Sequence, residues 1–197
     1  MFACRHAPLV LSPAVERALA TAYAEPHRAY HTATHIHDVL HWYDLVEDEI
    51  GWRDPTDVYL AVVFHDIVYD PTRHDNEARS ASLAVTLAGA SPNTTRLIQL
   101  TAQHGKLDGH ALDHDAAHFL DCDTAILGAS AAVFDAYDDA IAVEYKHVPR
   151  DAYRAGRRAF LTAMLARERI FASPLFHARL DARARDNLAR AIARLAA

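Results

Sequence analysis

The sequence predicts an all-α fold, and three observations carry that expectation. Forty of the 197 residues are alanine, the strongest helix former, against only 6 glycines and 8 prolines. Apolar residues recur at spacings of three and four, the signature of helices with one buried face. Four pairs, Ser12-Pro13, Asp54-Pro55, Ser91-Pro92 and Ser173-Pro174, each set a capping side chain before a proline suited to the first helical position. An all-β architecture is excluded, and 21.8 kDa with 51% apolar residues suits one compact helical domain over residues 1–197.

Nine helices follow in order. The first, 13–24, opens at Ser12-Pro13. The second, 34–49, carries the stripe Ile36, Val39, Leu40, Tyr43, Val46 and Ile50, with His35 one turn before Val39 at its buried edge. His37 and His41 fall off that stripe and are expected in solvent. The third, 55–69, contains VYLAVVFHDIVY, which is apolar all round and therefore central, yet it holds His65 and Asp66. The fourth, 75–89, places Glu77 on a face of small residues with Ala81, Ala84 and Ala88. In the fifth, 92–104, His104 extends the inward face of Leu97, Leu100 and Thr101.

The sixth helix, 111–127, turns Leu112, Ala116, Phe119, Leu120, Asp123, Ile126 and Leu127 inward. Asp121, two residues from Asp123, is rotated from it by about 200° at 3.6 residues per turn. It is expected to point outward with His110, His114 and His118, as a solvated face. Helices 130–146, 149–168 and 175–196 complete the chain, the last with a break allowed near Arg185. No Gly/Ser linker, low-complexity tract or fixed-period repeat divides it.

Charge and cysteine usage narrow the function. Lys plus Arg number 20 and Asp plus Glu 26, a formal net charge of −6, so an extended nucleic-acid surface or a lipid-binding field is not expected. Cys4 and Cys122 are too few for a disulfide framework, which points to a reducing cytoplasm. No segment reaches the roughly 18 apolar residues of a membrane helix, and the N-terminal residues do not read as a targeting signal. The 14 histidines are a heavy load for this length, and histidine is both a proton carrier at neutral pH and a common metal ligand.

Four polar residues thus face inward on apolar helices: His35, His65, Asp66 and Asp123. A carboxylate in an apolar interior costs several kcal/mol unless a cation or hydrogen-bond donors receive it. Two imidazoles and two carboxylates make a mixed nitrogen and oxygen set for a divalent ion with open positions, suiting manganese, magnesium, iron, cobalt or nickel. The set is ordered as a histidine, then His-Asp 30 residues on, then an aspartate 57 residues beyond.

That order, H, then HD, then D, resembles the HD superfamily of metal-dependent phosphohydrolases. The stretches EPHRAYHTATHI (25–36), AVVFHDIVYDPTRHDNEARSA (61–81), FLDCDTAILG (119–128), AIAVEYKHV (140–148) and YRAGR (153–157) are similar to a bacterial branch of predicted HD phosphohydrolases. The resemblance implies a helical bundle with His35, His65, Asp66 and Asp123 as metal ligands, and hydrolysis of a phosphoester or phosphoanhydride. Between Asp121 and Asp123 the inward stripe and the second acidic position of similar domains both favour Asp123. The chain departs from the better-known HD enzymes in lacking a lysine shortly after the His-Asp pair.

The mechanism so implied has the ion activate a water for in-line attack on phosphorus, with Asp66 accepting its proton. Glu77 and His104 are the further acid or base candidates. Arg28 is the first choice for a phosphate clamp, followed by Arg73 and Lys106, with His31 as a substrate or loop residue. Arg157 and Arg158, with Tyr145 and Tyr153, read as packing around the site wall. The expected partner is a small phosphorylated substrate such as a nucleotide, and a homodimer is allowed. Two other readings compete: an HD-type module that keeps metal and nucleotide binding without turnover, and a di-iron bundle built on the single Glu144/His147 pair.

Overall fold

The structure is a computed structural model, and it describes residues 2–104 and 112–196. Among these residues there are nine α-helices and no strand. They are α1 (Pro13–Ala22), α2 (Ala33–Glu49), α3 (Pro55–Phe64), α4 (Asn76–Ala88), α5 (Pro92–Thr101), α6 (His114–Thr124), α7 (Ala131–Glu144), α8 (Arg150–Leu165) and α9 (Pro174–Ala196), with a 3-10 turn at Ala125–Gly128 after α6. No helix among the described residues is long and apolar enough to cross a membrane.

All four cap-proline pairs open helices. The hydroxyl of Ser12 accepts from Val15 N, Asp54 from Asp57 N, Ser91 from Asn93 N and Thr94 N, and Ser173 from Phe176 N. Helix α3 is the centre of the molecule, with every residue from Asp57 to Phe64 buried. It packs against α2, α4, α5 and α6, while α8 and α9 lie together and α9 closes over the 3-10 turn. That last contact is tight. A Cβ on Gly128 would stand 2.6 Å from Leu180 Cβ and 2.9 Å from its carbonyl oxygen, so only glycine fits there.

The helices differ from their predicted spans in instructive places. Helix α3 stops at Phe64 rather than residue 69, leaving His65 and Asp66 in the turn that follows. Their surroundings explain the stop. The Arg28 guanidinium takes the carbonyls of Asp66 and Ile67, and the Ser80 hydroxyl meets both polar backbone groups of Val68, so the chain is satisfied without further helical turns. Helix α9 runs unbroken through Arg185, which reaches back to Asp181 and to the carbonyls of Leu165, Arg167 and Glu168.

The sixth helix holds the main correction. Asp121 is buried, not solvated, and its two carboxylate oxygens accept the N–H groups of Ala172 and Ser173 at 2.8 and 2.7 Å. His118 is buried as well, with its ring edge-on to Trp52, and His114 is half-buried against Asp115. The amphipathic reading failed because α6 is covered on both sides: α2, α3 and α5 pack on one, and the segment leading into α9 and the loop at Trp52–Asp54 close the other. His110 lies outside the described residues.

Candidate metal centre

Three elements bring the four predicted ligands together. Helix α2 supplies His35 in its first turn, the end of α3 supplies His65 and Asp66, and the last turn of α6 supplies Asp123. His35 Nε2 lies 3.3 Å from His65 Nε2, 3.1 Å from Asp123 Oδ1 and 3.6 Å from Asp66 Oδ2. His65 Nε2 is 3.0 Å from Asp66 Oδ2 and 3.3 Å from Asp123 Oδ1. Both histidines are buried, whereas Asp66 keeps partial exposure.

These separations fit an ion. Bonds of about 2.1 Å set neighbouring ligand atoms about 3.0 Å apart in an octahedron and about 3.4 Å apart in a tetrahedron. The tautomer also fits, because His65 Nδ1–H donates to the Val62 carbonyl at 2.9 Å and so leaves the Nε2 lone pair facing the cluster. His35, His65 and Asp66 satisfy the mutual spacing of a metal-holding group, and Asp123 adds a second carboxylate.

The electrostatics are those of a cation trap. Burial opposes charge on His65, but Asp66 and Asp123 override it and raise the imidazole well above its ordinary value. Burial likewise opposes ionisation of Asp66 and Asp123, yet the facing imidazoles hold both carboxyls well below the usual range. Two carboxylates among imidazoles carry a formal −2 that invites positive charge. A divalent cation can supply it.

Around this cluster the other predicted residues divide. His104 is half-buried with Nε2 2.7 Å from Asp123 Oδ2, so it stands beside the centre. His31 stacks on Tyr69 with ring centroids 4.1 Å apart and sets its ring edge toward His35 at 5.9 Å. Arg28 does not offer a phosphate clamp. Its guanidinium is fully buried and all its donors are engaged, by Glu25 and by the carbonyls of His31, Asp66 and Ile67, beneath the rings of Tyr23 and Tyr69.

Arg73 is exposed and held bidentately by Asp75. Glu77 is half-buried at the start of α4 and bears electrostatically on Tyr145, with no contact to the cluster. Lys106 lies outside the described residues. Arg157 stacks over Tyr137, whose ring meets Tyr30, and Tyr30 in turn packs on His35 at 4.7 Å. The inner wall is therefore Tyr30 and Tyr137 rather than the predicted Tyr145 and Tyr153, which pack on each other, while Arg158 is exposed.

A residue whose part sequence reasoning missed is Glu144. One of its oxygens accepts the backbone N–H groups of Ala29, Tyr30 and His31 at 2.8, 2.8 and 3.0 Å, and the other receives His31 Nδ1–H at 2.7 Å and the Tyr69 hydroxyl at 2.8 Å. Burial alone would raise this carboxyl, but the His31 contacts and the backbone donors bring it down to about 2. Glu144 therefore fixes the loop that presents His31 and leads into His35. It is spent on that loop and His147 is exposed, so the pair does not form half of a di-iron site. The signal in the sequence was a lone acidic residue closing the apolar run AIAVE.

Comparison with family models, with curated proteins and with solved structures found no match to this chain.

Proposed function

We propose that this protein is a metal-dependent phosphohydrolase of the HD type, acting on a nucleotide or another small phosphorylated metabolite. The observation that carries the proposal is the meeting of His35, His65 and Asp66 ligand atoms at separations of 3.0–3.6 Å, with Asp123 Oδ1 3.1 and 3.3 Å from the two imidazoles, all from three separate elements. The order H, HD, D supports the hydrolytic class through its resemblance to the HD superfamily. A divalent ion held by these four side chains would supply a water of lowered pKa and a Lewis acid for a phosphoryl oxygen.

The chain's own groups account for the rest. Asp66 is the most accessible member of the set, with 17% of its side chain exposed, and can accept a proton from an attacking water. His104, tied to Asp123, and His31, held by Glu144, stand beside the centre where a leaving oxygen would need a proton. Tyr30 and Tyr137 wall off one side and limit water.

The test is direct. Protein loaded in turn with manganese, magnesium, iron, cobalt or nickel is incubated with phosphomonoesters, nucleotides and cyclic nucleotides. Release of phosphate that stops on chelation and in Asp66→Ala supports the reading. Uniform inactivity with tight nucleotide binding would instead assign a binding module without turnover.

A further inference from the structure

A groove of about 970 Å³ runs between α1, α4 and the residues that follow α7, apart from the His-Asp cluster, none of whose side chains line it. Three cations line it from three elements: Arg17 on α1, Arg79 on α4 and Lys146 after α7. All three are exposed, and the side chain of none makes a hydrogen bond or ion pair with a described residue. Arg73 by contrast is paired with Asp75, Arg96 with Asp113 and Arg190 with Asp135, while arginines elsewhere that are unpaired among the described residues, such as Arg150 and Arg183, line no part of this groove.

Two of the three acidic residues of the groove are paired, Glu25 with Arg28 and Glu144 with His31 and its loop. Asp70 accepts both polar groups of Thr72 and keeps its charge, so three unpaired cations face one carboxylate and the balance in this space is positive, in a chain whose formal net charge is −6. Beside it the walls are apolar, formed by Ala18 and Ala22 of α1 and by Leu83 and Leu87 of α4. Leu87 is 38% exposed on that wall and so is accessible to a ligand lying in the groove.

We propose that this groove binds a small organic phosphate, with the phosphoryl group on Arg17, Arg79 and Lys146 and an apolar body against Ala18, Ala22, Leu83 and Leu87. The volume lies in the range of small-molecule sites, roughly 300–1,000 Å³. Unpaired cations beside an apolar wall match the two halves of such a ligand and do not match a bare inorganic anion. The site borders the candidate centre without belonging to it: Tyr69 lines the groove and also holds Glu144 and stacks on His31. The inference does not depend on the phosphohydrolase reading.

Titration calorimetry in excess chelator tests it, with 1-naphthylmethylphosphonate as a probe that cannot lose its phosphorus group to water. The expected result is binding of one molecule per chain, weakened about tenfold or more in the double variant Arg79→Glu/Lys146→Glu and less in Arg17→Glu, with circular dichroism unchanged. Methylphosphonate, which lacks the apolar body, is expected to bind at least about fivefold more weakly. Asp123→Ala is expected to bind the probe as the parent does. Equal affinity in the charge-reversed protein, equal affinity for methylphosphonate, loss of binding in Asp123→Ala, or absence of binding at millimolar probe would each overturn the proposal.

Discussion

Asp121 and Asp123 sit on either side of Cys122 and take opposite parts. Asp123 faces His35, His65 and His104, whereas Asp121 faces away and receives the N–H groups of Ala172 and Ser173. Alanine at each position should therefore separate the two roles. Asp123→Ala is expected to abolish divalent-ion uptake while leaving a folded helical protein, measured by metal analysis and circular dichroism. Asp121→Ala is expected to keep metal uptake but lose about 2 kcal/mol of stability, because two buried donors lose their acceptor. That figure is modest because burial already lifts the Asp121 carboxyl to about 6, so its charge opposes folding progressively as pH rises from 3.8 through that value.

At the scale of elements, the loop between α1 and α2 depends on Glu144 of α7. Its carboxyl is held at about 2 against an ordinary 4.5, so its contribution is complete above about pH 4.5 and is lost as pH falls toward 2. His31 has the opposite sign: burial opposes its charge, Asp66 and Glu144 raise its pKa above 6.5, and its contribution is complete below 6.5 and lost as pH rises through the raised value. Chelated protein should thus show an acid limb of stability that Glu144→Gln flattens, with a loss on the order of 2–3 kcal/mol near pH 5.5 in urea unfolding. The contact between the 3-10 turn and α9 offers a second check. Gly128→Ala must push Leu180 away and is expected to lose about 1–3 kcal/mol.

These elements also show what the sequence could and could not reveal. The helix starts were legible because a cap and a proline act over four residues, and all four marked starts hold. His35 and Asp123 were legible because helical periodicity turns them toward apolar neighbours, and His65 because it interrupts a run that is apolar all round. The end of α3 was not, because it is fixed by Arg28, 38 residues from the Asp66 carbonyl it takes. The inward turn of Asp121 was hidden for the same reason, since its donors lie 51 and 52 residues away. Arg28 looked like a phosphate clamp only while the carbonyls that occupy it were out of sight.

At the scale of the whole molecule, an ion held by the proposed two-imidazole, two-carboxylate site would link metal binding to stability. An ion that binds the folded chain alone adds about 2.7 kcal/mol at a hundredfold excess over its dissociation constant. For a chain of this size that shifts the unfolding midpoint by roughly 5–10 °C. Chelation should lower the parent's Tm by that amount and leave the Tm of Asp123→Ala unmoved, as read by differential scanning calorimetry. The most direct measurement of the central claim is anomalous diffraction from crystals of the manganese-loaded protein. The account predicts an anomalous peak bonded to His35 Nε2, His65 Nε2, Asp66 and Asp123. A protein that takes up manganese at other residues, or leaves these four side chains together without an ion, would contradict it.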